Sequence, residues 1–242
     1  MRRALLAASL VVLGMPATAS SDGSIAVFAA ASLTEVFPRI DSRPHYEFGG
    51  SDQLAMQIEQ GARADVFAAA SPKQAELLYH DGFVRKPTVF ATNKLVVIVP
   101  RSNSAHIRSV YDLRRTGVRV VVGDKSVPVG AYTRQLLDAL GITAAVMRNV
   151  VSQESDVKGI VAKVALGEAD AGFVYRTDAR PARREVAAIG LPAWAQPAIR
   201  YELAVVRSSS HRAAARAFVH RVESRRGRLI LGAAGFGLPR RR

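Results

Sequence analysis

Two serines and two short backbone stretches stand where strand-like or loop segments hand over to helical patterns. Ser32 ends the small run Ala29-Ala30-Ala31-Ser32 and precedes Leu33-Thr34-Glu35, and Ser51 follows Gly49-Gly50 and precedes Asp52-Gln53-Leu54. Pro128-Val129-Gly130 precedes a helical pattern from Ala131, and Ser155-Asp156 precedes one from Val157. Helix N-termini expose backbone N–H groups without intrahelical partners and carry a partial positive charge, so they suit oxyanions. Glycine lets the backbone approach a ligand closely. A serine hydroxyl can accept from a helix N–H and still donate its own proton to an anion. Every helix needs a cap, however, and Ser32-x-x-Glu35 has the pattern of a capping box with a helix from Leu33. The residues alone leave both uses open.

Other chemistries find little support. Gly49-Gly50-Ser51-Asp52-Gln53 lacks the final glycine of a nucleophile elbow. Gly232 to Gly237 reads G-x-x-G-x-G and leaves no room for a following helix, and Gly123-Asp124-Lys125-Ser126 lacks Walker spacing. The five histidines (His45, His80, His106, His211, His220) share no metal-ligand spacing. A secreted hydrolase with Ser51 as nucleophile would need a histidine and a carboxylate, and only His45 is near in sequence.

The elements that must position the serines alternate between strand and helix. Strands are expected at 24–30, 46–48, 64–69, 95–99, 118–122, 147–151, 169–175 and 199–206. Helices are expected from Leu33, at 52–60, from Pro72, at 131–140 and 156–166, and near 211–224 and 225–233. This alternation argues for α/β layers with largely parallel sheets.

Residues 1–19 read as a secretory signal peptide: Arg2 and Arg3, an apolar run from Ala4 to Leu13, and an A-x-A site at Ala17-Thr18-Ala19. The chain of 242 residues has no cysteine, so neither disulfides nor a lipid-anchored Cys are expected. Its formal charge of +14 invites a nucleic-acid partner. The basic clusters at 180–184, 225–228 and 240–242 have no interleaved aromatics of the kind a single-strand platform uses, so no nucleic acid is expected. Long-range attraction of anions is the better use of such charge.

Read in order, these pieces resemble the periplasmic molybdate-binding proteins, the soluble receptors of molybdate ABC transporters. Ala29-Ala30-Ala31-Ser32-Leu33 resembles the family's first ligand loop. Gly50-Ser51, followed by Leu54-Ala55-x-Gln57-Ile58-Glu59-x-Gly61-Ala62-x-Ala64-Asp65-Val66-Phe67, is similar to the second. Val127-Pro128-Val129-Gly130-x-Tyr132 resembles the third, with Val129 where the family usually has Ala. Asp156-Val157-Lys158 and Gly167-Glu168-Ala169-Asp170-Ala171-Gly172-x-Val174-Tyr175-x-Thr177-Asp178-Ala179 complete the match, which spans the mature chain.

The resemblance implies a two-lobed type II periplasmic-binding-protein fold, each lobe a mostly parallel sheet flanked by helices, with the ligand in the cleft between them. Lobe 1 would take residues 20–97 and 204–242, and lobe 2 residues 98–203. It implies a molybdate or tungstate ion held through its oxygens, with no direct metal coordination, by Ser32, Ser51, Val129, Val157 and Tyr175. The serines would use hydroxyl and N–H groups, Val129 and Val157 their N–H groups, and Tyr175 its hydroxyl. It further implies a periplasmic monomer without catalysis or cofactor that delivers its ion to a membrane-embedded ABC permease. Sulfate or another tetrahedral oxyanion is the nearest alternative. Asp52 departs from the small uncharged residue usual after this serine, and it is expected to face solvent. The surface arginines are expected to speed encounter without lining the site.

Overall fold

The computed structural model describes residues 24–239, and in it short runs of Val, Ile, Phe and Ala form two five-stranded sheets. The first sheet takes β1 (Ala26–Ala30), β2 (His45–Gly49), β3 (Val66–Ala69), β4 (Thr88–Asn93) and β10 (Ile199–Val205), in the spatial order β2-β1-β3-β10-β4. The second takes β5 (Leu95–Pro100), β6 (Val120–Gly123), β7 (Val150–Glu154), β8 (Ala171–Tyr175) and β9 (Val186–Ile189), in the order β7-β6-β8-β5-β9. The expected leader and the basic cluster at 240–242 lie outside the described residues.

Each sheet has a parallel half and an antiparallel half. Strand β1 runs parallel to both β2 and β3, and β6 runs parallel to both β7 and β8. Strands β10 and β5 oppose their neighbours. The parallel strands β3, β6 and β8 are buried along their whole length, which is why they read as unbroken apolar runs instead of alternating ones. Helices α1 (Phe37–Ile40), α2 (Ser51–Glu59), α3 (Pro72–His80), α8 (Arg212–Glu223) and α9 (Arg225–Ala234) accompany the first sheet. Helices α4 (Pro128–Ala139), α5 (Thr143–Met147), α6 (Val157–Ala165) and α7 (Arg176–Ala179) accompany the second. Phe37 of α1 is fully buried, with its ring 5.7 Å from that of Phe90 in β4 and 5.5 Å from that of Phe218 in α8.

The chain leaves the first sheet through Lys94 alone and returns along the stretch between β9 and β10. Gln196 on the return accepts from the Leu95 N–H at 3.0 Å and donates to the Leu95 carbonyl at 2.8 Å, so the two crossings are tied together. Leu95 to Val97 thus sit in the second sheet and Ile199 to Leu203 in the first, whereas division at 97/98 and 203/204 had placed them the other way. Ladder hydrogen bonds hold each strand whole within one sheet, so the sheets change between strands.

Several local expectations need correction. No helix starts at Leu33 with a capping box. A 3-10 turn covers Ala31–Leu33 without a side-chain cap, and α1 begins only at Phe37. Pro38 would fall inside a helix running from Leu33, where it lacks a donor and clashes, so it starts a helix instead. Helix α4 begins at Pro128, not Ala131, which places Val129 and Gly130 in its first turn. Met147 ends helix α5, and the strand there runs over 150–154.

Candidate functional site

Parallel strands deliver their carboxyl ends to one edge of a sheet, and open α/β sheets bind ligands just beyond that edge. Here two such edges face each other. From the first sheet come Ala30, Ala31 and Ser32 after β1, Gly49, Gly50 and Ser51 at the end of β2, and Ala70 after β3. From the second come Val127, Pro128 and Val129 after β6, Asp156 and Val157 after β7, and Tyr175 ending β8. Together these residues line one cavity of about 20 Å³. That is little more than the roughly 10–15 Å³ that one water needs, so the cavity suits a compact occupant.

All five residues expected to meet a ligand line this cavity. Ser32, Ser51, Val129, Val157 and Tyr175 are each 6% exposed or less, although up to 143 residues separate them in the chain. Ser51, Val129 and Val157 lie in the first turns of α2, α4 and α6, where N–H groups have no carbonyl one turn back. The small residues Ala29 to Ser32 now have a reason. They leave the backbone of the first loop accessible to whatever occupies the cavity.

The hydroxyls are prepared unequally. Ser51 Oγ accepts from the Ala70 N–H at 3.1 Å, which leaves its own proton free. Ser32 Oγ lies 2.8 Å from Tyr201 Oη. Tyr175 Oη is buried and finds no hydrogen-bond partner among the described residues. A buried hydroxyl without a partner costs about 1–3 kcal/mol, and a ligand in the cavity would relieve that cost. Burial pushes the Tyr175 and Tyr201 phenols well above their ordinary value, so both stay protonated and able to donate.

Charge enters the site sparingly. No lysine, arginine or histidine belongs to the lining. Its one carboxylate, Asp156, caps α6 by accepting from the Lys158 N–H at 2.7 Å and the Gly159 N–H at 3.1 Å. Asp52 does not face open solvent as expected. It is half-buried, and its Oδ2 accepts from Ser126 Oγ, at 2.5 Å, across the cleft. Its position one residue into α2 aims it at the opposite lobe, beside the Gly50–Ser155 approach. Behind the cavity, Asp178 is 3% exposed with Oδ2 unpartnered. Burial pushes its carboxyl up to about 7, against the pull of the Lys158 charge and a hydrogen bond from the Tyr175 backbone.

The sequence did not reveal Tyr201, Asn93 or Ala70 as parts of the site. Tyr201 reads as one more core aromatic of a late strand, and its partner Ser32 lies 169 residues away. Ala70 contributes only an amide, which no side-chain pattern can advertise. His45, the histidine that the hydrolase alternative would use, is exposed in β2 and outside the lining.

Residues 25–237 match the family of bacterial extracellular solute-binding proteins. The chain belongs to that family. This solute-binding protein is 40% identical over 253 residues to the molybdate-binding protein ModA of Mycobacterium tuberculosis H37Rv, covering 98% of this chain and 95% of that protein. Its fold resembles the periplasmic molybdate-binding protein of Azotobacter vinelandii, with a TM-score of 0.77 and 23% identity over 90% of this chain and 100% of that one. It also resembles the sulfate-binding protein SubI of M. tuberculosis, with a TM-score of 0.75 and 20% identity over 88% of this chain and 86% of that one. At such identities the two structures speak for the two-lobed α/β fold of the solute-binding protein and leave its solute open.

Proposed function

We propose that this chain captures molybdate outside the cytoplasm and delivers it to the membrane-embedded permease of an ABC transporter, with tungstate as a second ligand. The observation that carries this reading is a small cavity lined by hydroxyls and helix-start amides from both lobes, with the Tyr175 hydroxyl left unpartnered and the one lining carboxylate, Asp156, engaged in capping α6. The 40% identity to a protein named for molybdate binding supports it further. In this reading the ion's oxygens accept from the Ser32 and Ser51 hydroxyls and amides, the Val129 and Val157 amides and the Tyr175 hydroxyl. The metal centre itself touches no side chain.

Donors alone suffice for affinity and for one kind of choice. Hydrogen bonds to a charged group are worth roughly 1.5–3 kcal/mol each, so a handful of them can outweigh the costs of association and lost hydration. A naked tetrahedral dianion offers acceptors only, and every oxygen can be matched. Hydrogen phosphate brings an O–H that needs an acceptor and meets donors instead. Sulfate has the same charge and the same hydrogen-bonding type as molybdate, so cavity size must separate them.

The chain acts as a carrier without catalysis or cofactor, exported by its N-terminal leader and working as a monomer. The lobes move as the sheets do, residues 24–93 with 199–239 against 95–189, hinged at Lys94 and the Gln196 stretch. Thermal denaturation with each anion tests the whole reading, because a ligand of the native state raises stability by RT ln(1 + [L]/Kd). Molybdate and tungstate should raise the melting temperature strongly, sulfate less and phosphate hardly at all. Equal shifts with all four would reduce the effect to charge screening and end the proposal.

A further inference from the structure

We propose that Asn93 and Tyr201 fix the polarity of the Ser32 hydroxyl, so that it donates into the cavity and rejects oxyanions that carry a proton. The proposal rests on the oxyanion reading of the site and adds two positioning residues to it.

The direction of the chain of hydrogen bonds follows from one backbone amide. Asn93 Oδ1 accepts from the Lys94 N–H at 2.9 Å, and turning the side-chain amide over would set NH2 against N–H. Its Nδ2 therefore points the other way, donating to Thr177 Oγ1 at 2.9 Å and to Tyr201 Oη at 3.3 Å. With that donor on its oxygen, Tyr201 turns its own proton to the one acceptor in reach among the described residues, Ser32 Oγ at 2.8 Å. Ser32 Oγ thus receives a hydrogen bond and has its proton left for the cavity it lines.

Burial makes this polarity durable. Asn93 is 7% exposed, Ser32 6% and Tyr201 fully buried, so water has little room to supply the opposite pattern. Each donor in the series also polarises the next, which strengthens the last O–H as a donor to an anion. Ser51 is set the same way by the Ala70 amide. Tyr175 is the one lining hydroxyl that can still turn either way. The two serines therefore carry the discrimination, and of the two only Ser32 is set by side chains. The network also crosses between lobes, since Thr177 belongs to α7 and Asn93 ends β4 at the crossing.

Tyr201→Phe keeps the ring among Phe90, Tyr175 and Phe236 and deletes only the hydroxyl. Ser32 can then rotate and accept. Molybdate affinity would be measured by titration calorimetry at pH 8, and hydrogen phosphate affinity by competition against molybdate at high phosphate. Wild type, Tyr201→Phe, Asn93→Ala and Ser32→Ala would be compared. In Tyr201→Phe the molybdate-to-phosphate preference should shrink by about tenfold or more, mainly because phosphate binds better. Asn93→Ala, which spares the ring altogether, should shrink it in the same direction by less. Ser32→Ala should weaken molybdate without helping phosphate. A preference unchanged in both Tyr201→Phe and Asn93→Ala, with wild type binding molybdate selectively, would overturn the polarity proposal and leave the oxyanion reading standing. A wild-type protein indifferent between the two anions would overturn both.

Discussion

Tyr175 and Ser51 line the same cavity, yet their loss should have different consequences. Tyr175 Oη bonds nothing else among the described residues, so Tyr175→Phe removes only a ligand contact. Its dissociation constant for molybdate should rise by about tenfold to a hundredfold, the worth of one hydrogen bond to a charged group, while the ligand-free melting temperature holds or rises. Ser51→Ala strands the buried Ala70 N–H as well and should lower ligand-free stability by about 1–3 kcal/mol in denaturant titrations. A Tyr175→Phe protein that loses as much ligand-free stability as Ser51→Ala would contradict this account. Asp178 supplies a pH test. Its carboxyl sits at about 7 in the folded chain against an ordinary 3.8, so between these values the folded state holds a proton that the unfolded state has released. Its contribution to stability therefore falls as pH rises from about 4 to about 7 and stays level above. Asp178→Asn should raise the melting temperature more at pH 8 than at pH 5, and an equal gain at both would count against a buried, titrating carboxylate.

The helix starts decide where the amides point. Gly130 in the first turn of α4 packs so tightly on the end of β6 that a Cβ would overlap the carbonyls of Gly123 and Asp124. Gly130→Ala must push the helix away and carry the Val129 amide with it. We expect a loss of about 1–3 kcal/mol in stability from overpacking and a weakened molybdate affinity in calorimetry. Unchanged affinity would mean that the Val129 amide is no ligand. At this scale the sequence was partly legible. Pro128 and Pro72 marked helix starts by their fixed φ and missing donor, and β3, β6 and β8 declared themselves as apolar runs. The supposed capping box at Ser32 misled because a local pattern cannot show that Tyr201 claims the hydroxyl.

Closure belongs to the whole molecule. Gly50 has φ −62° and ψ 132°, a conformation open to alanine, yet its Cβ would lie 2.5 Å from the Ser155 carbonyl oxygen across the cleft. Gly50→Ala should therefore obstruct the closed form, whereas the Asp52 carboxylate, 2.8 Å from the same Cβ within its own lobe, can swing aside at little cost to the ligand-free melting temperature. Apparent affinity falls with the closed fraction, by about tenfold or more if closure is disfavoured by 1.4 kcal/mol. Solution scattering should show less compaction on adding molybdate than in wild type, and full compaction would count against the closure argument. Asp52 and Ser126 make a second contact across the cleft, joined by the Lys158–Glu35 pair at 3.4 Å. Asp52→Ala should speed molybdate release several-fold in stopped-flow with little change in association, since affinity changes of this kind fall mainly on dissociation. Release at the wild-type rate would make Asp52 a bystander.

The sequence by itself determined the alternation of strands and helices and the absence of the usual catalytic spacings, and its short motifs, through their resemblance to the molybdate-binding family, named the five residues that line the cavity. Those features rest on periodicity, turn chemistry and short motifs, all of which act over a few residues. Tertiary structure alone decided that two strand edges face each other and that Asp52 reaches the opposite lobe. It also decided that the Ser32 hydroxyl is governed by Asn93 and Tyr201. These depend on contacts between residues 74 to 169 positions apart, and hydrogen-bond direction is set by neighbours in space, which no local pattern encodes.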